Sequence, residues 1–184
     1  MKNIAVLVGS QRKKSFSKAL AHNLIELAPA SLQLEIVPIA HLPFFNQDWE
    51  EDLPTPEEVT AFRKTIEEAD GFIFVTPEYN RSVPALIKNA VDIASRPKGK
   101  SKWGGKPGLI ISNSPGSISG FGAYHILQQS LFTLGVRLMS FPEIYIGHVD
   151  TLLDDDGMMQ NESTRDFLAD SLKKFEKWVE KHTK

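Results

Sequence analysis

Short apolar runs of four to seven residues alternate along this chain with longer segments in which apolar residues recur at helical spacing. That alternation restricts the fold to an α/β architecture. The first run, Asn3 to Val8, is rich in Ile and Val, as expected of a strand covered on both faces, and Gly9 ends it. A helix is predicted from about Phe16 to Ala28, with Leu20, Ala21, Leu24, Ile25 and Ala28 on one face, Ser15 as its N-cap and Pro29 as its stop. Leu32 to Ile39 alternates and predicts a second strand, followed by an irregular apolar loop, Leu42-Pro43-Phe44-Phe45-Asn46. A second helix is predicted from near Pro56 to near Ala69, with Glu57 and Glu58 at its positive end.

Gly71 to Thr76 carries Phe72-Ile73-Phe74-Val75 and predicts a buried central strand ended by Pro77. From Pro84, helical spacing returns in Leu86, Ile87, Ala90, Val91 and Ala94, and Arg96 to Gly105 reads as a basic loop. A fourth strand over Gly108 to Ser112, a helix over about Ala123 to Leu134, a fifth strand around Arg137 to Tyr145 and a final amphipathic helix over about Glu162 to Lys181 complete the pattern. Right-handed crossovers then predict a doubly wound, five-stranded parallel sheet of order 2-1-3-4-5. In that order the loops after strands one and three leave in opposite directions, and a ligand is expected in the crevice between them.

Composition narrows the classes of function. A length of 184 residues favours a single domain spanning 1–184, and 41% hydrophobic with 24% charged residues is ordinary for a globular chain. Twenty-one Lys and Arg against 23 Asp and Glu leave a charge of -2 without a long like-charged block, which points away from a nucleic-acid partner. There is no cysteine, so a disulfide framework, a thiolate metal site and a cysteine nucleophile are excluded, and redox work needs a borrowed cofactor. No signal sequence is evident and the least charged stretch, Pro107 to Val136, is too polar to cross a membrane, so a cytoplasmic location is expected.

Three loops converge on the expected crevice. The first, Gly9-Ser10-Gln11-Arg12-Lys13-Lys14-Ser15-Phe16-Ser17, runs into a helix and has the features of an anion cradle: backbone N–H groups, three hydroxyls and a guanidinium. It is neither a Walker A loop nor G-x-G-x-x-G, and a tight turn with a capping Ser15 and a solvated basic patch is the plainer alternative. The second, Pro77-Glu78-Tyr79-Asn80-Arg81-Ser82-Val83-Pro84, is stiffened by two prolines and can present amides and the flat face of Tyr79 to a planar ring; a turn with a capping Ser82 is the alternative. The third, Ser112 to Gly122, holds four Ser and three Gly in eleven residues, so a ligand could approach its backbone closely.

Taken together, Gly9-Ser10-x-Arg12-x-x-Ser15-x-Ser17, Pro77-Glu78-Tyr79-Asn80-x-Ser82-x-Pro84 with Leu86, Lys88-Asn89-Ala90 and Asp92, and Gly105-Lys106-Pro107 resemble the NADPH-dependent FMN reductase family, in particular its chromate and quinone reductase branch. The resemblance spans nearly the whole chain. It implies a flavodoxin-like three-layer sandwich, bound FMN, and a homodimer or homotetramer. It also implies two-electron reduction of quinones, azo compounds, chromate or free flavin by NADPH or NADH. Carried over, Ser10, Arg12, Ser15, Phe16 and Ser17 hold the FMN phosphate and ribityl end, Pro77, Glu78, Tyr79, Asn80 and Ser82 line the ring, and Ser114 and Gly116 flank it. One departure is Ser119-Gly120-Phe121-Gly122, where the branch often has a basic residue.

With the cofactor carrying the chemistry, no catalytic side chain is assigned, and donor and acceptor are expected to alternate over one flavin face with ping-pong kinetics. Arg12, Lys13, Lys14 and Arg81 are the candidates for the NADPH 2′-phosphate. The helix after the third loop, with Ile126, Leu127, Leu131, Phe132 and Leu134, is expected to be covered on more than one side, part of that cover being a second copy. A flavodoxin-type electron carrier is the alternative, disfavoured by the near-neutral charge and by Arg12. A phosphoacceptor domain lacks an Asp at the end of strand three, no G-x-S-x-G elbow supports a hydrolase, and the five scattered histidines show no metal-ligand spacing.

Overall fold

The structure is a computed structural model and describes residues 1–183. Its elements are β1 (Lys2–Val8), α1 (Phe16–Leu27), β2 (Leu32–Ile36), α2 (Glu57–Glu68), β3 (Gly71–Pro77), α3 (Ala85–Ala94), β4 (Pro107–Asn113), α4 (Phe121–Thr133), β5 (Arg137–Leu138), β6 (Ile144–Ile146), α5 (Val149–Leu152) and α6 (Glu162–His182). All strand pairs are parallel, in the order β2-β1-β3-β4-β5, with β6 also on β4. The predicted α/β order therefore holds.

Two strand predictions change in detail. The single strand expected around Arg137 to Tyr145 is two: β5 pairs with Pro107 and Gly108, and β6 with Ile111 to Asn113. Between them lies Pro142, which has no N–H to give to a ladder. The sheet thus has six strands rather than five, both late ones lying along the same edge of β4. The second strand, predicted to reach Ile39, leaves the ladder after Ile36. Val37 still donates to the Val6 carbonyl at 2.9 Å, but Pro38 cannot continue the pattern.

The sheet is buried on both faces, and alternate residues of one strand serve opposite cores. Phe72 and Phe74 of β3 pack with α2, α3 and α4 through Phe62, Ile87, Val91 and Leu127. Ile73 and Val75 pack on the other side with Leu20 and Leu24 of α1 and Leu168, Leu172 and Phe175 of α6. The basic loop Arg96 to Gly105 is anchored by Trp103, which is fully buried, stands edge-on to Phe72 with ring centres 4.8 Å apart, and donates its indole N–H to the Val91 carbonyl at 2.9 Å.

Within one copy of the chain, helix α4 is covered on one side: Ala123, Tyr124, Leu127 and Leu131 are buried, while Ile126 and Phe132 face outward, Phe132 being 78% exposed. Residues three and four apart share a helix face, so one row reaches the sheet and the other is left in the outermost layer.

Replacing Trp103 by Ala removes a large side chain and a satisfied donor from a closed site. The expected cost is about 3–5 kcal/mol, measured by urea denaturation.

Candidate active site

Where β1 gives way to α1, the chain turns at Gly9, at which a Cβ would lie 3.0 Å from the Pro77 ring. Ser15 has extended backbone and caps α1, its hydroxyl accepting from the Lys18 N–H at 3.2 Å. Phe16 and Ser17 open the helix, and their N–H groups have no acceptor within it. Ser10 Oγ accepts from the Arg12 N–H at 3.3 Å. The Arg12 guanidinium is braced in turn: Nε donates to the Lys14 carbonyl at 2.7 Å, and its central carbon lies 4.6 Å from the Phe16 ring centre. The result is a loop of donors gathered at a positive helix end.

The loop after β3 is a hairpin-like turn. Tyr79 and Ser82 exchange two backbone hydrogen bonds of 3.0 Å, and Asn80 and Arg81 between them both have positive φ, 51° and 64°. Such a turn needs left-handed backbone at both central residues; Asn tolerates this and Arg pays for it. Ser82 does not cap α3, whose N-cap is Pro84. Glu78 is committed elsewhere: its Oε2 accepts from the Ala123 N–H at 3.1 Å, in the first turn of α4, and its Oε1 pairs with Arg81 at 3.3 Å. Because Gly120, the N-cap of α4, offers no side chain, this carboxylate serves as the helix's cap from another loop.

Beneath the crevice, Asn113 ties the three loops together. Its Nδ2 donates to Ser17 Oγ at 2.9 Å and to the Thr76 carbonyl at 3.2 Å, and Asn113 and Ser17 are each 1% exposed. The Ser17 hydroxyl is therefore part of the floor. Farther along, Ser114 Oγ accepts from the Gly116 N–H at 3.1 Å, and Gly120 adopts left-handed backbone with φ 79° where the chain turns into α4.

These loops enclose a crevice of about 140 Å3, lined by Ser10, Arg12, Ser15, Phe16, Ser17, Pro77, Glu78 and Tyr79 together with Asn113, Ser114 and Pro115. Of the residues singled out from the sequence, Asn80, Ser82 and Gly116 lie in the adjoining turns rather than in this wall. Asn113 and Pro115 were not singled out; a buried polar residue at the carboxyl end of a predicted strand was the available signal for Asn113. The basic candidates also separate. Lys13 and Lys14 line a neighbouring groove together with Asp150, Asp154, Asp155 and Asp156, so an added phosphate there would meet carboxylates; Arg12 lines both that groove and the crevice, and Arg81 stands in the turn after β3, paired with Glu78. The two tyrosines with displaced titration lie outside the crevice. Burial pushes Tyr124 up to about 12, Glu143 adding to it, and Tyr145 is raised by burial and by its 2.6 Å hydrogen bond to Glu143.

An anion end built of donors beside a rigid turn, at the carboxyl edge of a doubly wound sheet, defines a nucleotide-binding protein of the flavodoxin-like class. Residues 2–151 match the NADPH-dependent FMN reductase family. The chain is 50% identical over 177 residues to a quinone reductase of Pseudomonas putida, covering 96% of this chain and 94% of that one. It is 46% identical over 176 residues to a 2-hydroxy-1,4-benzoquinone reductase of Burkholderia sp, covering 96% and 95%. In structure it resembles FerB, a flavoenzyme NAD(P)H:(acceptor) oxidoreductase of Paracoccus denitrificans, with a TM-score of 0.92, 40% identity and complete coverage of both chains. The chain belongs to the NADPH-dependent FMN reductase family, and is an enzyme with FMN as cofactor and NADPH or NADH as co-substrate.

Asn113→Ala leaves the Thr76 carbonyl and the Ser17 hydroxyl without their buried partner. We expect a loss of about 1–3 kcal/mol in urea denaturation and a lower FMN content in the purified variant, because all three loops lose a common tie.

Proposed function

We propose that this enzyme is a quinone reductase working as a homodimer in the cytoplasm, where NADPH is available, and that residues 1–184 act as one unit. The observation that carries the reading is the crevice itself: its anion end is all donors, and its nearest carboxylate, Glu78, is spent on the Ala123 N–H and Arg81. The relatives named for quinone reduction at 50% and 46% identity favour a quinone as the acceptor. Azo compounds, chromate and free flavin would need only the same reduced cofactor and an open face.

The residues fit FMN. The N–H groups of Phe16 and Ser17, the hydroxyls of Ser10 and Ser15 and the Arg12 guanidinium would hold its phosphate, with Ser17 contributing its amide because its hydroxyl is occupied by Asn113. Pro77 to Tyr79 would lie along the isoalloxazine ring, with Asn80 and Ser82 fixing the turn that presents Tyr79, and Ser114 and Gly116 across from it. The chemistry supplied by bound FMN is acceptance of a hydride from the reduced nicotinamide and its donation to the acceptor. Overall, NADPH, a proton and a quinone become NADP+ and a hydroquinone, two electrons passing between them. The protein's part is to hold both rings on one face in turn, which makes the exchange ping-pong. With Arg12 committed to the FMN phosphate, Arg81 is the residue we assign to the 2′-phosphate of NADPH.

Purified protein loaded with FMN is expected to lose its flavin absorbance on anaerobic addition of NADPH and regain it on addition of menadione. Initial-rate plots at several menadione concentrations should be parallel. Flavin that stays oxidised with NADPH would instead identify an electron carrier served by another reductase.

The dimer proposal rests on the outward side of α4, where Phe121 and the 78% exposed Phe132 share one row at its two ends and Ile126 is partly exposed on the flank. Size-exclusion chromatography with light scattering at micromolar concentration should give twice the 20.6 kDa chain mass. Phe132→Glu should shift that mass to the monomer, and a wild-type monomer would overturn the proposal.

A further inference from the structure

Three basic residues follow one another in the loop after β1, and they are held very differently. Lys13 and Lys14 are exposed and line the groove that also carries Asp150 and Asp154. Arg12 is tied at three points. Its backbone N–H donates to Ser10 Oγ at 3.3 Å, its Nε donates to the Lys14 carbonyl at 2.7 Å, and its guanidinium carbon lies over the Phe16 ring, 4.6 Å from the centre. Phe16 is itself half-buried, packed against the core on the α1 side of the sheet, and both residues line the crevice.

The two side-chain contacts of Arg12 restrict different motions. The bond from Nε sets the direction of one edge of the guanidinium but leaves its plane free to turn about the N–H···O axis. A ring face against that plane removes the rotation. With Nε spent on the Lys14 carbonyl, the edge left over is the Nη1 and Nη2 pair, whose parallel N–H groups match two oxygens of one phosphate. An arginine free in solvent loses rotamer freedom when it grips a phosphate, and one already held loses less. An ammonium has neither the plane nor the fork, so neither Lys13 nor Lys14 could use such a platform.

We propose that Phe16 is a positioning residue for the phosphate end of the cofactor: its ring sets the plane of the Arg12 guanidinium, and the benefit is confined to ligands that carry a phosphate. The proposal rests on the assignment of the crevice to FMN and deepens it. It separates the two parts of Phe16, since the backbone N–H belongs to the donor cradle whatever the side chain is, while the ring acts only through Arg12. Riboflavin, which has the same ring system and ribityl chain without the phosphate, gains nothing from the Phe16 ring.

The test titrates FMN and riboflavin into the full chain stripped of flavin and follows the quenching of flavin fluorescence. Wild type should bind FMN at least about tenfold more tightly than riboflavin, as charge-assisted bonds to the phosphate require. Phe16→Leu keeps an apolar side chain against the core and keeps the amide. It should weaken FMN about fivefold, the size of one cation–π contact, and leave riboflavin unchanged. Phe16→Trp, which keeps a ring face, should bind FMN as wild type does, and Arg12→Lys should lose at least as much FMN affinity as Phe16→Leu. In an Arg12→Ala background, Phe16→Leu should have no further effect, a coupling that a role for the ring in folding alone would not produce. The proposal is overturned if riboflavin weakens together with FMN in Phe16→Leu, or if the effects of Phe16→Leu and Arg12→Ala simply add. Failure of the parent reading shows up separately, as wild-type protein that binds neither flavin.

Discussion

The register of β3 between β1 and β4 is the constraint on which the site depends. Val8 lies opposite Val75, and Pro77 opposite Asn113, so three strands running the same way finish almost level. Because every pairing is parallel, the loops that follow all open on one edge. The chain leaves β1 toward β2 and leaves β3 toward β4, on opposite sides, so nothing crosses the gap between them. The crevice is a consequence of strand order, and its residues are those that happen to follow positions 8, 77 and 113.

What the crevice can hold is then decided by which polar groups are free. A carboxylate about 4 Å from a bound phosphate would cost on the order of 1–4 kcal/mol, depending on the dielectric between them. Glu78 lines the same crevice, but a helix end and Arg81 claim its two oxygens. At Gly122 in the same helix a Cβ would come within 2.9 Å of Glu78 Oε2 and 2.8 Å of the Arg81 carbonyl, so the small residues of the third loop allow the carboxylate to reach the helix. The acid that the sequence offers as a ring contact also serves as a strut between two loops.

Periodicity made the layers legible. The runs at Asn3, Gly71 and Gly108 are apolar on both faces, and only a central parallel strand requires that. The same reasoning could not see that Arg137 to Tyr145 is broken, because apolar content persists through the break and only Pro142 signals a missing donor. Nor could it see that α4 keeps one row outside, since a helix rich in Leu and Phe reads alike whether its outer row meets a sheet, a second copy or water. The anion loop was legible because its chemistry is local: a cap, an Arg and hydroxyls within a few residues. Asn113 joins residues 96 and 37 positions away, and no local pattern announces such a tie.

Asn113 and Asn89 solve the same problem on the two sides of Tyr79. An amide side chain donates and accepts at once, so one residue can hold two pieces of backbone or side chain that a hydroxyl or a carboxylate would hold singly. Asn113 locks α1 and β3 to the end of β4, and Asn89 locks both sides of Phe44 to α3. Both are buried with their polar atoms engaged, so neither carries an unpaid desolvation cost. The turn at Asn80 and Arg81 works differently, since it stores backbone strain instead of removing it. Tyr79 thus stands between two rigid walls on a segment held in a sparsely populated conformation. A ring bound against Tyr79 meets backbone that is already ordered, so little conformational entropy remains to be lost there on binding.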